Sequence, residues 1–234
     1  MSRMIEMRGV SKAYTRGGEK LTVLDRLDLD VEKGDFIAMM GPSGSGKSTI
    51  LNLVGGLDVP DAGRIVVAGT EITALSSSAL PDWRARHVGF VFQAFNLVPV
   101  LTALENVLLP LLLTPLKASE RRRQAEFALE VVGLTDRTNH RPRQLSGGQE
   151  QRVAIARAIA TDPDIVVADE PTGDLDRDTA NSVMDLLRRL NDEMGKTILM
   201  VTHDQVAAGK ARRVLHLDKG VLIERQAAMA AASA

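Results

Sequence analysis

The 234 residues are 44% hydrophobic, contain no cysteine and sum to a formal net charge of -1. A chain of this size buries a sizeable core as one domain, or as a domain with a lobe inserted into it. The charge balance leaves no overall positive field to hold a polyanion, and the missing cysteines exclude disulfides, thiolate metal sites and cysteine nucleophiles, so the expectation is a reducing, cytoplasmic setting without nucleic acid.

Residues 1–10 alternate charged and apolar positions and lack the long apolar run of a secretory signal. Leu27, Leu29 and Val31 alternate with Asp28 and Asp30, which predicts a half-exposed strand in an N-terminal antiparallel β subdomain. Apolar runs recur at 36–40, 65–67, 88–92, 165–168, 198–201 and 214–217; their continuous apolarity predicts strands covered on both faces, as in a parallel sheet. Between 94 and 160 no such run occurs, while Ala125, Ala128, Leu129 and Val132 fall at helical spacing, so an inserted helical lobe is predicted there. The most apolar stretch, 107–116, is interrupted by Pro110 and Pro115 and is much shorter than the roughly 20 residues that span a bilayer. Direct membrane insertion is therefore not expected. Val183, Leu186, Leu187, Leu190 and Met194 form the stripe of a core helix, with Arg188, Arg189 and Asn191 on other faces. The fold class is α/β, a single domain over 1–225 followed by an alanine-rich tail, 226–234, expected to fray.

Directly after the run 36–40 comes Gly41-Pro42-Ser43-Gly44-Ser45-Gly46-Lys47-Ser48, with the spacing of a phosphate-binding P-loop opening a helix. Gly44 and Gly46 let the backbone turn so that several N–H groups converge on one anion, at the positive end of that helix. Lys47 reaches the β- and γ-phosphates and the Ser48 hydroxyl coordinates Mg2+; with the adjoining Thr49 these residues form the predicted nucleotide cradle. The strand 165–168 ends in Asp169-Glu170, at the carboxyl edge where open α/β sheets bind ligands. Asp169 is placed to hold Mg2+, and Glu170 to polarise a water aimed at the γ-phosphate. His203, after the strand that ends at Thr202, joins the same edge and can bond the γ-phosphate; His87, His140 and His216 lack such a setting and read as structural.

Leu145-Ser146-Gly147-Gly148-Gln149, continuing through Glu150-Gln151-Arg152 to Ala158, resembles the signature motif of ABC ATPases. The resemblance runs from about Ile5 to Glu224 with the motifs in the family's order. It implies a P-loop ABC ATPase fold with an antiparallel β subdomain and an inserted helical subdomain. By residue, it implies that Tyr14 stacks on adenine, that Gln93 touches Mg2+ and senses the γ-phosphate, that Asp174 belongs to a dimer-contacting loop, that His203 is the switch histidine, and that Ser146 to Gln149 contact nucleotide held by the opposite subunit. Residues 89–99, 101–107 and 168–173 look like the branch of lipoprotein-releasing, macrolide-exporting and cell-division ATPases, although Asp174 stands where that branch most often has asparagine. The function implied is that of the ATP-hydrolysing subunit of an ABC transporter. It would close as a head-to-tail homodimer around two ATP and drive a separate integral-membrane permease, peripheral on the inner face of the cell membrane. Phe95, Leu97, Val98 and Leu101 lie where such transporters receive a permease helix. The alternative is a soluble ABC ATPase acting on nucleic acid or ribosomes. Against it stand the single motif set in a continuous chain and the acidic neighbours Glu120 and Glu126 of the cluster Arg121 to Arg123.

Overall fold

The computed structural model describes residues 2–218 and 220–225; the tail expectation lies outside them. The elements in order are β1 (Arg3–Arg16), β2 (Glu19–Glu32), β3 (Phe36–Met40), α1 (Lys47–Val54), β4 (Ala62–Val67), β5 (Thr70–Glu71), α2 (Ala79–His87), β6 (Val88–Phe92), α3 (Ala103–Leu111), α4 (Ala118–Val131), α5 (Gly147–Ile159), β7 (Ile165–Asp169), α6 (Arg177–Met194), β8 (Thr197–Val201), α7 (Gln205–Ala208), β9 (Arg213–Asp218) and β10 (Val221–Arg225), with three short 3-10 turns between them.

Two sheets result. An antiparallel sheet has the order β2-β1-β4-β5, and a six-stranded sheet has the order β10-β9-β3-β8-β7-β6. All neighbours in the second are parallel except β10 against β9. Side chains of a strand point alternately to its two faces, and β3 shows what each face meets. Phe36, Ala38 and Met40 join a core with α3, α4, α5 and α6, whereas Ile37 and Met39 join a core with α1 and the antiparallel sheet. Being covered on both sides explains why β3 and β8 are buried at every position and apolar throughout except at Thr197, whose hydroxyl accepts the Gly34 N–H at 2.9 Å.

The expected strand 65–67 forms, but inside β4, where it pairs antiparallel with β1 rather than joining the parallel sheet. Three apolar residues are too few to tell the two settings apart; Ile65 and Val67 are buried and Val66 is not. Leu27, Leu29 and Val31 are buried on β2, and Asp28 between the first two is exposed. Between β6 and β7 the chain forms α3, α4 and α5, and Ala125, Ala128, Leu129 and Val132 are all buried there. On α6 the stripe is shifted at its end: Met194 is exposed, and Asn191 is buried, its amide donating to the carbonyls of Gly34 and Lys196 at 2.8 and 2.7 Å. Those two bonds satisfy backbone groups near the amino ends of β3 and β8, which is why a polar residue replaces an apolar one. No helix among the described residues is long and apolar enough to cross a membrane.

Candidate nucleotide-binding and catalytic site

Strand register assembles the site. Phe92 on β6 lies beside Asp169 on β7, Asp169 beside Val201 on β8, and Val201 beside Met39 on β3. In a parallel sheet, residues level in register leave their strands on one edge, so Gln93, Glu170, His203 and the loop after Met40 emerge together. They line an open cleft of about 840 Å³, together with Gly41, Ser43, Gly44, Gly46, Lys47, Ser48, Thr49 and Asp169.

The cradle has the geometry that its glycines predict. Gly46, the residue before α1, has φ +103°, and a Cβ there would lie 2.8 Å from Leu24 and 2.9 Å from Val23, so β2 closes against bare backbone. Lys47 turns back, its ammonium donating to the carbonyls of Gly41 and Pro42 at 2.8 Å each. Pro42 and Ser45 support the loop from outside the cleft lining: Ser45 N–H donates to the Pro42 carbonyl at 3.3 Å, and its buried hydroxyl has no hydrogen-bond partner.

Ser48 Oγ donates to Asp169 Oδ1 at 3.3 Å. Burial raises the Asp169 carboxyl above its ordinary value of 3.8; the Ser48 bond opposes this and the Glu170 charge adds to it. A hydroxyl and a half-buried carboxylate oxygen make a hard donor pair suited to Mg2+, which keeps several ligands from water and phosphate. No group of three His, Cys, Asp or Glu side chains able to hold a metal occurs among the described residues, so a cation here would depend on the nucleotide for much of its shell. Glu170 has a left-handed backbone, φ +48°, and its N–H donates to the Val201 carbonyl at 2.9 Å. Its carboxylate meets His203 Nδ1 at 2.9 Å. Gln93 donates from Nε2 to Asp174 Oδ1 at 2.7 Å, which ties the end of β6 to the loop after Glu170.

Other predicted residues stand outside the cleft lining. Ser146 caps α5, accepting from Gln149 N–H at 3.3 Å, while Gln149 Oε1 accepts from Ser146 N–H at 3.0 Å. Gln149 is thus engaged in the cap, and the N–H groups of Gly147 and Gly148 are the first-turn donors without an intrahelical partner. Tyr14 donates its hydroxyl to Asp58 Oδ2 at 2.8 Å, and its cross-strand neighbour Leu21 does line the cleft. His87 is paired with Asp164 at 2.6 Å, away from this edge. Sequence reasoning missed Leu21, Val23 and Asn96 as lining residues; alternate apolar positions on β2 were the available signal for the first two. It also missed Arg157, whose guanidinium donates to the carbonyls of Asn96 and Phe95 at 2.6 and 2.8 Å and so holds the segment after Gln93 to α5. Within that segment Leu97 packs against the core, while Val98 is exposed.

A parallel sheet whose carboxyl edge joins a glycine-rich cradle at a helix N-terminus to a carboxylate pair defines a P-loop nucleotide-binding domain. A family model described as ABC transporter matches residues 24–173. The uncharacterized ABC transporter ATP-binding protein MJ0796 of Methanocaldococcus jannaschii is 46% identical over 227 residues, covering 95% of this chain and 96% of that one. The lipoprotein-releasing system ATP-binding protein LolD of Idiomarina loihiensis is 44% identical over 95% of this chain and 98% of its own length. The macrolide export ATP-binding/permease protein MacB of Rhodopseudomonas palustris is 45% identical over 95% of this chain, which spans 34% of that longer protein. A solved dimeric, post-hydrolysis structure of the MJ0796 cassette bound to ADP and phosphate superimposes with a TM-score of 0.87 at 44% identity, covering 96% of this chain and 99% of that one. The chain belongs to the ABC transporter family, as one of its ATP-binding cassettes.

Proposed function

We propose that this cassette hydrolyses ATP with Mg2+ and that two copies close head to tail around two ATP to drive a separate integral-membrane permease from the cytoplasmic face. The observation that carries the reading is the single edge on which the cradle, the Ser48–Asp169 pair and the Glu170–His203 pair converge. Bound Mg2+ would neutralise charge on the β- and γ-phosphates. Lys47 would exchange its two carbonyl bonds for phosphate oxygens, and Glu170 would accept a proton from the attacking water once His203 turns toward the γ-phosphate. Ser146, Gly147 and Gly148 lie outside this cleft, in keeping with a role toward nucleotide held by a second copy. Resemblance to LolD and MacB favours a lipoprotein-release, export or mechanotransmission type of transporter. A groove of about 430 Å³ between the sheet and the helical segment, lined by Pro81, Phe90, Pro110 and Leu113 and by none of Phe95, Leu97, Val98 and Leu101, suits a permease helix beside that expected segment.

The test is co-purification of tagged Glu170→Gln protein from solubilised native membranes with ATP and Mg2+. Recovery of an integral permease is the expected result. Recovery of ribosomal or DNA-bound protein alone would overturn the transporter reading.

A further inference from the structure

Tyr14 is held by more than its place in β1. Asp58, in the turn after α1, accepts the Tyr14 hydroxyl on Oδ2 at 2.8 Å and the Lys12 ammonium on Oδ1 at 2.7 Å. Lys12 donates also to the Val59 carbonyl at 2.7 Å, and its nitrogen lies 5.2 Å from the Tyr14 ring centroid. Lys12 is only 8% exposed and Tyr14 is 39% exposed, so a buried cation sits over a ring that stays partly open to solvent. A second tie runs nearby, where Ala13 N–H donates to Asp61 Oδ2 at 2.8 Å.

These contacts join two parts of the chain that nucleotide must bridge. Asp58 is bonded through its own N–H to the Asn52 carbonyl of α1, the helix that opens at the phosphate cradle, and Leu21, the cross-strand partner of Tyr14, lines the cleft. We propose that Asp58 and Lys12 are positioning residues for the nucleobase, clamping the Tyr14 ring at a fixed distance from the phosphates and leaving it partly open for stacking. A buried cation on one face of an aromatic ring holds it by attraction to the ring quadrupole, and a charge-assisted bond to the hydroxyl removes the remaining rotation. The ring then meets a base without losing motion on binding. This rests on the reading of Tyr14 as the base-stacking residue.

The experiment compares equilibrium binding of ATP and of inorganic tripolyphosphate, both without Mg2+, to the full chain and to Tyr14→Ala, Tyr14→Phe, Asp58→Asn and Lys12→Met. Tripolyphosphate engages the cradle but has no base, so it reports whether the cradle is still folded. The expected result is ATP affinity weakened roughly two- to fivefold by Asp58→Asn and Lys12→Met, with tripolyphosphate affinity retained. Tyr14→Phe and Asp58→Asn share the hydroxyl–carboxylate bond, and Asp58→Asn also weakens the Lys12 pair, so the two effects should be less than additive, with Asp58→Asn the larger. In turnover the change should fall on KM rather than kcat. Loss of ATP affinity in Tyr14→Ala, with none in Asp58→Asn and Lys12→Met, would overturn the clamp and leave the stacking reading standing. No effect in Tyr14→Ala would overturn both. Equal weakening of ATP and tripolyphosphate by Asp58→Asn would make Asp58 a support of α1 instead.

Discussion

Both oxygens of the Glu170 carboxylate are engaged by one residue: Oε1 meets the His203 imidazole Nδ1 at 2.9 Å, and Oε2 accepts the His203 backbone N–H at 3.3 Å. The Glu170 side chain is 19% exposed and that of His203 is 74% exposed, so the imidazole is the freer of the two to swing. A γ-phosphate that drew it away would release a carboxylate oxygen for water. On the proposed reading, nucleotide binding and activation of the base would be one movement.

That contact has a pH signature. The hydrogen bond to Glu170, reinforced by its charge, raises the His203 imidazole above its ordinary 6.5. Because the folded-state value is the higher one, the stabilising contribution is fully present below pH 6.5 and is lost as pH rises through the raised value. In nucleotide-free protein, proton NMR should find His203 titrating above 6.5. In Glu170→Gln it should move back toward 6.5. An unmoved midpoint would show that the pair does not persist in solution.

Replacing Glu170 by Gln keeps the shape of the side chain and removes its ability to take a proton. ATP turnover should fall by roughly 10²- to 10⁴-fold, the range for loss of a general base. Nucleotide should still bind, and an ATP-stabilised dimer should accumulate on gel filtration. Parental turnover in this variant would remove Glu170 from the chemistry.

Asp169 should trade stability for metal binding. Its carboxyl is raised by burial, so the native state holds its proton to higher pH than the unfolded chain does, and stability declines as pH climbs from 3.8 through the raised value. Asp169→Asn should therefore melt higher than the parent at pH 7 without nucleotide, by no more than roughly 2–4 °C, since solvent screens a half-exposed carboxylate. The gain should vanish near pH 3.5. Mg2+-dependent turnover should be lost in the same variant, and a lower melting temperature would contradict the electrostatic account.

What could be seen in the sequence followed how local the cause was. The strands at 36–40 and 88–92 coincide with β3 and β6 because burial on both faces leaves a continuous apolar run. Helix α2 left no such trace: Trp83 is its sole buried residue, so no apolar stripe marks it. Strand β1 carries an alternation of charged and apolar positions only as far as Val10; its register against β2 shifts four times, and the rest of the strand to Arg16 leaves no regular pattern. The cradle and carboxylate pair could be read from contiguous residues. The Tyr14–Asp58 bond joins positions 44 apart, and Arg157 reaches Phe95 across 62, so neither leaves a local pattern.

Gly148 tests close packing at the start of α5. A Cβ there would overlap Cγ2 of Thr179 on α6. Gly148→Ala should destabilise the protein by about 1–3 kcal/mol, the usual result of overpacking. Thr179→Ser deletes the obstructing methyl and keeps the hydroxyl that donates to Asp176 Oδ2 at 2.6 Å. In the Gly148→Ala background it should restore much of the loss in a denaturant melt, giving a favourable coupling energy. Additive losses would mean that the strain is relieved elsewhere.

Ser146 offers the test of whether α5 addresses a second anion. It lies outside the cleft that holds Lys47 and Ser48, and its side chain serves its own helix by accepting from Gln149 N–H. If α5 addresses nucleotide on a second copy, a bulky side chain at its N-cap should obstruct closure of the dimer and leave the cradle of the same chain untouched. Loss of the cap itself should remove only about 1 kcal/mol of stability. Ser146→Arg should therefore bind ATP as a monomer with parental affinity, fail to dimerise in the Glu170→Gln background, and lose turnover. Weakened ATP binding by the monomer would instead place Ser146 at the nucleotide of its own chain, and the head-to-tail arrangement would have to be abandoned.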